Sequence, residues 1–379
     1  MGKDLMSNMK TNFKNNLKNI INASGKMTKL GVSTQSKYVR EQMLYATQNY
    51  FDMDELYSKS GAYIASLLDA EDCVVTSSAS AAIVFIVASL ICGSNDRLIE
   101  NINIEKDFID KREVIIPKGH SVNYGVAIHT MIELGAGKVI EAGNSNMVTK
   151  NEVESCINKN TLALFYVKSH HAVQKNMITI DEMLELSKKH NIPMIIDAAA
   201  EEDFTSYYKK GIDFIIYSGA KALSGPSSGF VLCKNKTHAS NMRKQYYGIG
   251  RSMKIGKENI FGLVASIEEY IQNNGPKINV TYEDLEEIVS KFNKIEGIKS
   301  EIVQDEAGRK IYRCKINIDE KKFGLNAKEV NIKLNLGSPA IFCRDYESNL
   351  GNLYFDPRPL INKNQLESIY ERILEIGEK

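Results

Sequence analysis

What this chain of 379 residues has little of narrows its possibilities first. Its charges nearly cancel, with 48 Lys and Arg against 47 Asp and Glu for a formal net charge of +1. That balance favours neither a nucleic acid nor an anionic membrane as partner. The six cysteines (Cys73, Cys92, Cys156, Cys233, Cys314 and Cys343) are scattered, without a Cys-x-x-Cys pair. A disulfide framework or metal site is therefore not expected; reduced, mostly buried thiols of a cytoplasmic protein are. The longest apolar stretch, residues 79–92, is too short to span a bilayer and contains Ser80 and Ser89, so it reads as a buried helix. Residues 1–21 are rich in Lys and Asn and lack a continuous apolar core, which does not read as a secretory signal. Met6 stands where a myristoylation motif needs Ser or Thr. There is no GxxxxGK[ST] phosphate loop, and Gly248-Ile249-Gly250 is too little for a dinucleotide fingerprint.

What is present is ordinary globular material, 43% hydrophobic and 25% charged, enough for a sizeable core and two domains. Residues 54–235 alternate between two periodicities. Helical patterns cover 53–68, 79–92, 123–134, 150–157 and 180–190, and strand-like runs cover 73–76, 113–117, 138–140, 161–167, 193–197 and 213–217. Such alternation predicts an α/β domain with a mostly parallel sheet covered on both faces. The run 229–233 follows so short a connection that it is expected to return antiparallel. A long helix over 256–273 leads out. Beyond it, helical patterns at 280–296 and 364–376 and strand-like runs at 310–319 and 330–334 suggest a smaller α+β domain. The expected division is an N-terminal segment (1–45) packing with the small domain, a large domain (46–260), and a linking helix with the small domain (261–379).

The chemistry concentrates at strand ends. The run 213–217 leads into Ser218-Gly219-Ala220-Lys221-Ala222-Leu223-Ser224-Gly225-Pro226-Ser227-Ser228-Gly229, and the run 193–197 ends in Asp197. A carboxylate at one strand end and a lysine in a small-residue loop at the next suit pyridoxal 5'-phosphate. The lysine holds the cofactor as a Schiff base, and the acid keeps the pyridine nitrogen protonated. Read singly, Lys221 is a solvated turn lysine and Asp197 a helix cap; together they favour the cofactor. Thr76-Ser77-Ser78-Ala79-Ser80 opens a helix, where free N–H groups and hydroxyls form an anion site for a phosphate monoester, unless Ser78 or Ser80 is only an N-cap. Ser169-His170-His171 follows the strand 161–167, and one of its histidines is expected at the cofactor or substrate. His120, after Pro117-Lys118-Gly119, is either stacked on the ring or a hydrogen-bonded structural histidine. Glu201-Glu202-Asp203 are expected to face solvent or cap a helix, with one of them a candidate for the substrate. Arg251, among Lys254 and Lys257, is a candidate for a substrate anion unless this is only a solvated basic turn. Arg344 or Arg358 would clamp a carboxylate from the small domain, unless each is a surface arginine paired with a nearby acid.

The strings Asp197-Ala198-Ala199-Ala200-Glu201-Glu202, Tyr217 through Gly229, Ser169-His170-His171, Ile21 through Gly31 and Gly250-Arg251-Ser252-Met253-Lys254 resemble the selenocysteine-synthase-like branch of aspartate-aminotransferase-like (fold type I) pyridoxal-phosphate enzymes. Within that branch they are most similar to the D-glucosaminate-6-phosphate ammonia-lyase group. The resemblance runs from about Asn22 to Leu360, with the lysine loop and the Asp-Ala-Ala-Ala-Glu-Glu string its most specific parts. It implies a lyase that converts a phosphorylated amino-sugar acid into a 2-keto-3-deoxy acid phosphate and ammonia. It makes Lys221 the Schiff-base lysine and Asp197 the partner of the pyridine nitrogen. Ser78, Ala79, Ser80 and Ser218 become the cofactor-phosphate turn, with Ser169 and His120 beside the cofactor. His170 is a candidate general acid. A homodimer or higher homo-oligomer is implied as well. Three alternatives stay open: transamination of an anionic amino compound; a tRNA-acting transferase, which the near-zero net charge disfavours; and a cofactor-binding scaffold without catalysis, which the presence of both Lys221 and Asp197 disfavours.

Overall fold

β-Branched and aromatic residues in short runs bounded by turn residues become strands when a sheet buries both of their faces. In this protein, a computed structural model describing Phe13 and residues 15–169, 172–276, 278–305 and 311–378, the strands among the described residues are β1 (Ile20–Ala23), β2 (Asp72–Thr76), β3 (Glu113–Pro117), β4 (Lys138–Ala142), β5 (Thr161–Val167), β6 (Met194–Asp197), β7 (Phe214–Ser218), β8 (Gly229–Cys233), β9 (Ile298–Gln304), β10 (Tyr312–Ile318), β11 (Ala340–Cys343) and β12 (Asn352–Phe355). Thr34–Pro276 forms one compact unit and the chain on either side of it another.

The larger unit is built on a seven-stranded sheet of order β2-β8-β7-β6-β5-β3-β4. β3 to β7 pair in parallel, whereas β8 runs antiparallel to both β7 and β2. Every residue of β2, β3, β5, β6 and β8 is buried, as expected of strands covered on both faces. One cover is the helix Ala79–Cys92. Ser78 caps its start by accepting from the N–H of Ala81, and Ala81 through Ser89 are all buried. Its continuous apolar run is thus core, and among the described residues no single helix is long and apolar enough to cross a membrane. Phe85, Phe165, Phe214, Tyr217 and Phe230 fill this core. Because β2, β3, β5, β6 and β7 share one direction, their carboxyl ends line a single edge. That edge is where open α/β sheets present ligand-binding groups.

The smaller unit has a three-stranded antiparallel sheet, β12-β10-β9, and a parallel pair, β1 with β11. The helices Tyr282–Phe292, Ala327–Leu336 and Lys363–Gly377 supply Phe292, Leu334 and Ile369 to its core beside Phe355.

Two local expectations are corrected. The run 330–334 is helical, inside Ala327–Leu336; Asn326 caps it and Glu329 completes a capping box. The helix expected over 123–134 starts only at Ile128, because the stretch before it is a tight turn. β1, β9 and β12 are strands that no local pattern predicts. The helices Lys37–Thr47 and Lys257–Gln272 both belong to the larger unit. A Cβ on Gly262 would meet Met43 Cγ at 2.8 Å, so the absent side chain lets them approach. Where the reading drew its boundaries at 45 and 260, the compact units divide at Ser33 and Pro276.

Candidate functional site

Strand register places the candidate residues along the carboxyl edge of the larger sheet. Gly229 lies opposite Thr76 on one side and Ser218 on the other. Asp197 pairs with Ile216 of β7 and Val167 of β5. The edge therefore runs from the Ser78 turn through Gly229 to Ser218 and the lysine loop. It continues to Asp197, the Ser169 segment and the turn after β3. Gly229 joins the first two, since a Cβ there would sit 2.5 Å from the carbonyl carbon of Ser78 and 2.6 Å from the nitrogen of Ala79. No side chain fits at that position.

The lysine loop is held by its backbone. The Gly219 N–H donates to Ser228 O at 3.0 Å, and the Gly225 N–H to Gly219 O at 2.9 Å. Ser224 adopts a left-handed φ of 54° between them. Lys221 is half-buried on this frame. Asp197 is buried, 8% exposed, and its Oδ1 accepts from the Ala199 N–H at 3.1 Å. Burial pushes its carboxyl above the ordinary range, while the Lys221 charge and the Ala199 N–H pull it back. The two residues paired on sequence grounds thus act on each other electrostatically.

At the start of Ala79–Cys92, Thr76 Oγ1 donates to the Ser78 carbonyl at 2.9 Å, and Ser78 Oγ accepts from Ala81 at 3.0 Å. The N-cap is real, and it leaves first-turn N–H groups at Ala79 and Ser80 with no acceptor inside the helix. Together with the positive end of the helix dipole, they suit an anion.

His120 is fully buried, and both its nitrogens are engaged. Nδ1 accepts from the Val167 N–H at 3.3 Å, and Nε2 donates to the Val173 carbonyl at 3.1 Å. The Tyr166 ring stands edge-on to it, with centroids 4.4 Å apart. Only a ring face or edge is left for a cofactor, and proton transfer is removed. Burial pushes the imidazole pKa down to about 4. The unfolded chain takes up this proton near 6.5, so His120 stabilises the protein above that pH and the contribution is lost on acidification. Between pH 7 and pH 5 the expected loss is about 2 kcal/mol. Urea midpoints of the wild type and His120→Gln at the two pH values measure it, and the variant should lack this component.

Ser169 follows Lys168, whose N–H donates to the Asp197 carbonyl at 2.9 Å. His170 and His171 lie outside the described residues. Of the acids after Asp197, Asp203 accepts from the N–H groups of Thr205 and Ser206 at 3.0 and 2.9 Å, at the start of the short helix Ser206–Lys209. One group went unnoticed in the sequence. Tyr124, in the turn before Ile128, has a buried hydroxyl with no hydrogen-bond partner among the described residues. Asn123-Tyr124-Gly125, an Asn and a Gly flanking one residue, was the available turn signal.

The arginine candidates separate clearly. In the larger unit Arg251 is exposed on the 3-10 turn Ile249–Met253. Lys257 is spent on structure: its ammonium donates to the carbonyls of Ala46 and Asn49 past the end of Lys37–Thr47. In the smaller unit Arg358 is bidentate to Asp356, at 2.9 Å through Nε and 2.7 Å through Nη2. Arg313 also holds Asp356, at 3.0 Å, and reaches Asp305 at 2.9 Å. Arg344 completes this group; its Nε donates to the Ser24 carbonyl at 3.2 Å, and among the described residues it has no carboxylate. Among the described residues Arg313, Arg344 and Arg358 stand with Asp305 and Asp356. Burial and the neighbouring Arg313 push the Arg344 guanidinium below its ordinary pKa.

A parallel sheet with an acid and a lysine loop at its carboxyl edge defines an aminotransferase-like protein. Aspartate aminotransferase from Thermotoga maritima superposes with a TM-score of 0.52 at 16% identity, over 99% of this chain and 96% of that one, a likeness of fold. The family profile "SelA: L-seryl-tRNA selenium transferase" matches residues 20–324, and the chain belongs to that family. The D-glucosaminate-6-phosphate ammonia lyase of Salmonella typhimurium (strain 14028s / SGSC 2262) is 39% identical over 362 residues, 96% of each chain. A 5'-C-glycyluridine monooxygenase-decarboxylase from Streptomyces sp is 33% identical, over 94% of this chain and 89% of that one. A solved D-glucosaminate-6-phosphate ammonia-lyase matches with a TM-score of 0.90 at 38% identity, covering 100% of this chain and 99% of that chain. Family and fold alike are those of pyridoxal-phosphate enzymes.

Proposed function

We propose that this protein is a pyridoxal 5'-phosphate-dependent ammonia-lyase acting on a phosphorylated amino-sugar acid of the D-glucosaminate 6-phosphate type. The observation that carries the reading is the electrostatic pairing of Lys221 with Asp197 along one strand edge, in a chain 39% identical to a lyase of that name. The residues present suit the cofactor. The first turn of Ala79–Cys92 and the close approach of Gly229 offer backbone to a phosphate. Asp197 offers a carboxylate, Lys221 an amine, and the Tyr124 hydroxyl is a buried polar atom in want of an acceptor.

Bound pyridoxal phosphate would supply an electron-accepting ring. Asp197, buried and partly offset by Lys221, would hold a proton at the ring nitrogen. Lys221 would hold the cofactor and, with its amine free, would take the proton from the substrate's α carbon. The 3-hydroxyl then leaves with a proton as water. C3 takes up a proton and a second water replaces the nitrogen at C2, so the net products are a 2-keto-3-deoxy acid phosphate and ammonia, and no oxidant is needed. Ser78, Ala79, Ser80 and Ser218 are assigned to the cofactor's phosphate, and Ser169 to its ring. Arg251 and Arg344 are assigned to the substrate's anionic groups. Arg358, already bidentate to Asp356, is assigned to holding that acid. We place the enzyme in the cytoplasm as a homo-oligomer.

Product analysis tests the reaction. Holoenzyme given D-glucosaminate 6-phosphate and no keto acid should release ammonia and a keto acid in equal amounts. Turnover that requires an added keto-acid acceptor, or that consumes oxygen, overturns the proposal.

A further inference from the structure

We infer that Tyr124 is a cofactor ligand whose hydroxyl donates a hydrogen bond to the cofactor's phosphate, beside Ser80. The inference rests on the reading of this edge as a pyridoxal-phosphate site. The Tyr124 hydroxyl is out of contact with solvent, yet no group among the described residues accepts from it. Stranding a buried donor is costly, and native proteins rarely do so without a use for the group.

The turn carrying Tyr124 is built to aim it. Gly125 takes a φ of 117°, and its N–H donates to Asn123 Oδ1 at 2.9 Å. The Tyr124 N–H donates to the Val126 carbonyl at 3.2 Å, and Asn123 bridges to Ala127. The backbone is fixed on both sides of the tyrosine while its hydroxyl has no partner among the described residues.

Two residues near the hydroxyl locate it. Burial and the Asp197 charge push the phenol's pKa up, and Ser80 pulls it back, although Tyr124 and Ser80 fall short of hydrogen-bond geometry. Tyr124 is thus within electrostatic reach of both the carboxylate assigned to the ring nitrogen and the helix start assigned to the phosphate. It stays protonated, so it acts as a donor and wants an anionic acceptor. Asp197 is close enough to be felt but is not bonded, and its Oδ1 is taken by Ala199. The phosphate bound at the first turn of Ala79–Cys92 is the acceptor that remains.

Tyr124→Phe removes only the oxygen. Full-length protein freed of cofactor is titrated with pyridoxal 5'-phosphate and, separately, with pyridoxal, following visible absorbance. The variant should bind the phosphate ester at least about tenfold more weakly, the scale of a hydrogen bond to a charged group, and bind pyridoxal as the wild type does. Its cofactor-free form should melt no lower than wild type, because an unsatisfied buried hydroxyl has gone. Equal losses for both ligands would put the hydroxyl at the ring and overturn the inference, as would no loss for either. Wild-type protein that takes up no pyridoxal phosphate would instead overturn the proposed function itself.

Discussion

Lys221→Ala should lower kcat/KM by about 10⁴-fold, the scale of losing a positioned acid-base group, and should abolish covalent retention of the cofactor. The loop around Lys221 is held by backbone bonds among Gly219, Gly225 and Ser228, none of which uses the lysine side chain. Alanine at 221 leaves these backbone bonds in place, and the loss is expected to fall on chemistry. Asp197 would keep its Ala199 bond but lose the nearby cation that lowers its pKa. Lys221→Arg separates charge from chemistry. A guanidinium restores a positive charge near Asp197, but it does not deprotonate and forms no cofactor linkage. It should be as inactive as alanine while melting like the wild type. Steady-state rates with circular dichroism of both variants check this. A Lys221→Arg enzyme retaining more than about a tenth of wild-type activity would remove Lys221 from the reaction.

Asp356→Asn should cost about 3 kcal/mol or more of stability, read from urea unfolding. Asp356 is fully buried and binds both Arg313 and Arg358. Burial alone would raise its carboxyl pKa, but the two guanidinium groups hold it down at about 2. Its contribution is thus complete above the ordinary value of 3.8 and is lost as pH falls toward about 2. Neutralising it at pH 7 takes a carboxylate from both Arg313 and Arg358, and removing one partner of a buried pair typically costs 3–5 kcal/mol. Arg344→Gln gives the opposite sign. It removes a cation with no carboxylate among the described residues, so stability should hold or rise while KM for the phosphorylated amino-sugar acid increases. Equal destabilisation by both variants would mean that Arg344 is a structural cation rather than a site for an added anion.

Much of this was legible in the chain because the signals are local. β3, β5, β7 and β8 are short apolar runs set between turn residues, and the brief link between β7 and β8 left only an antiparallel return. Lys221 and Asp197 stood out because each sits at the end of such a run. The missed parts depend on distant or competing interactions. β1 pairs with β11 from Ile20 against Ala340 to Ala23 against Cys343, and no local pattern announces a partner so far along the chain. Val330 to Leu334 is too short to separate a strand from one face of a helix; Asn326 and Glu329, three residues apart, were the deciding signal. Reading one helix across 123–134 ignored Gly125 and so concealed Tyr124. Arg344 and Arg358 look alike in sequence, and only the position of Asp356 separates them.

One measurement bears most directly on Lys221 as the cofactor's anchor. The holoenzyme is reduced with borohydride, digested, and mapped by mass spectrometry. The expected result is loss of the visible absorbance of the bound cofactor and a single phosphopyridoxyl adduct on Lys221. An adduct on another lysine, or none in protein that shows that absorbance beforehand, would contradict it.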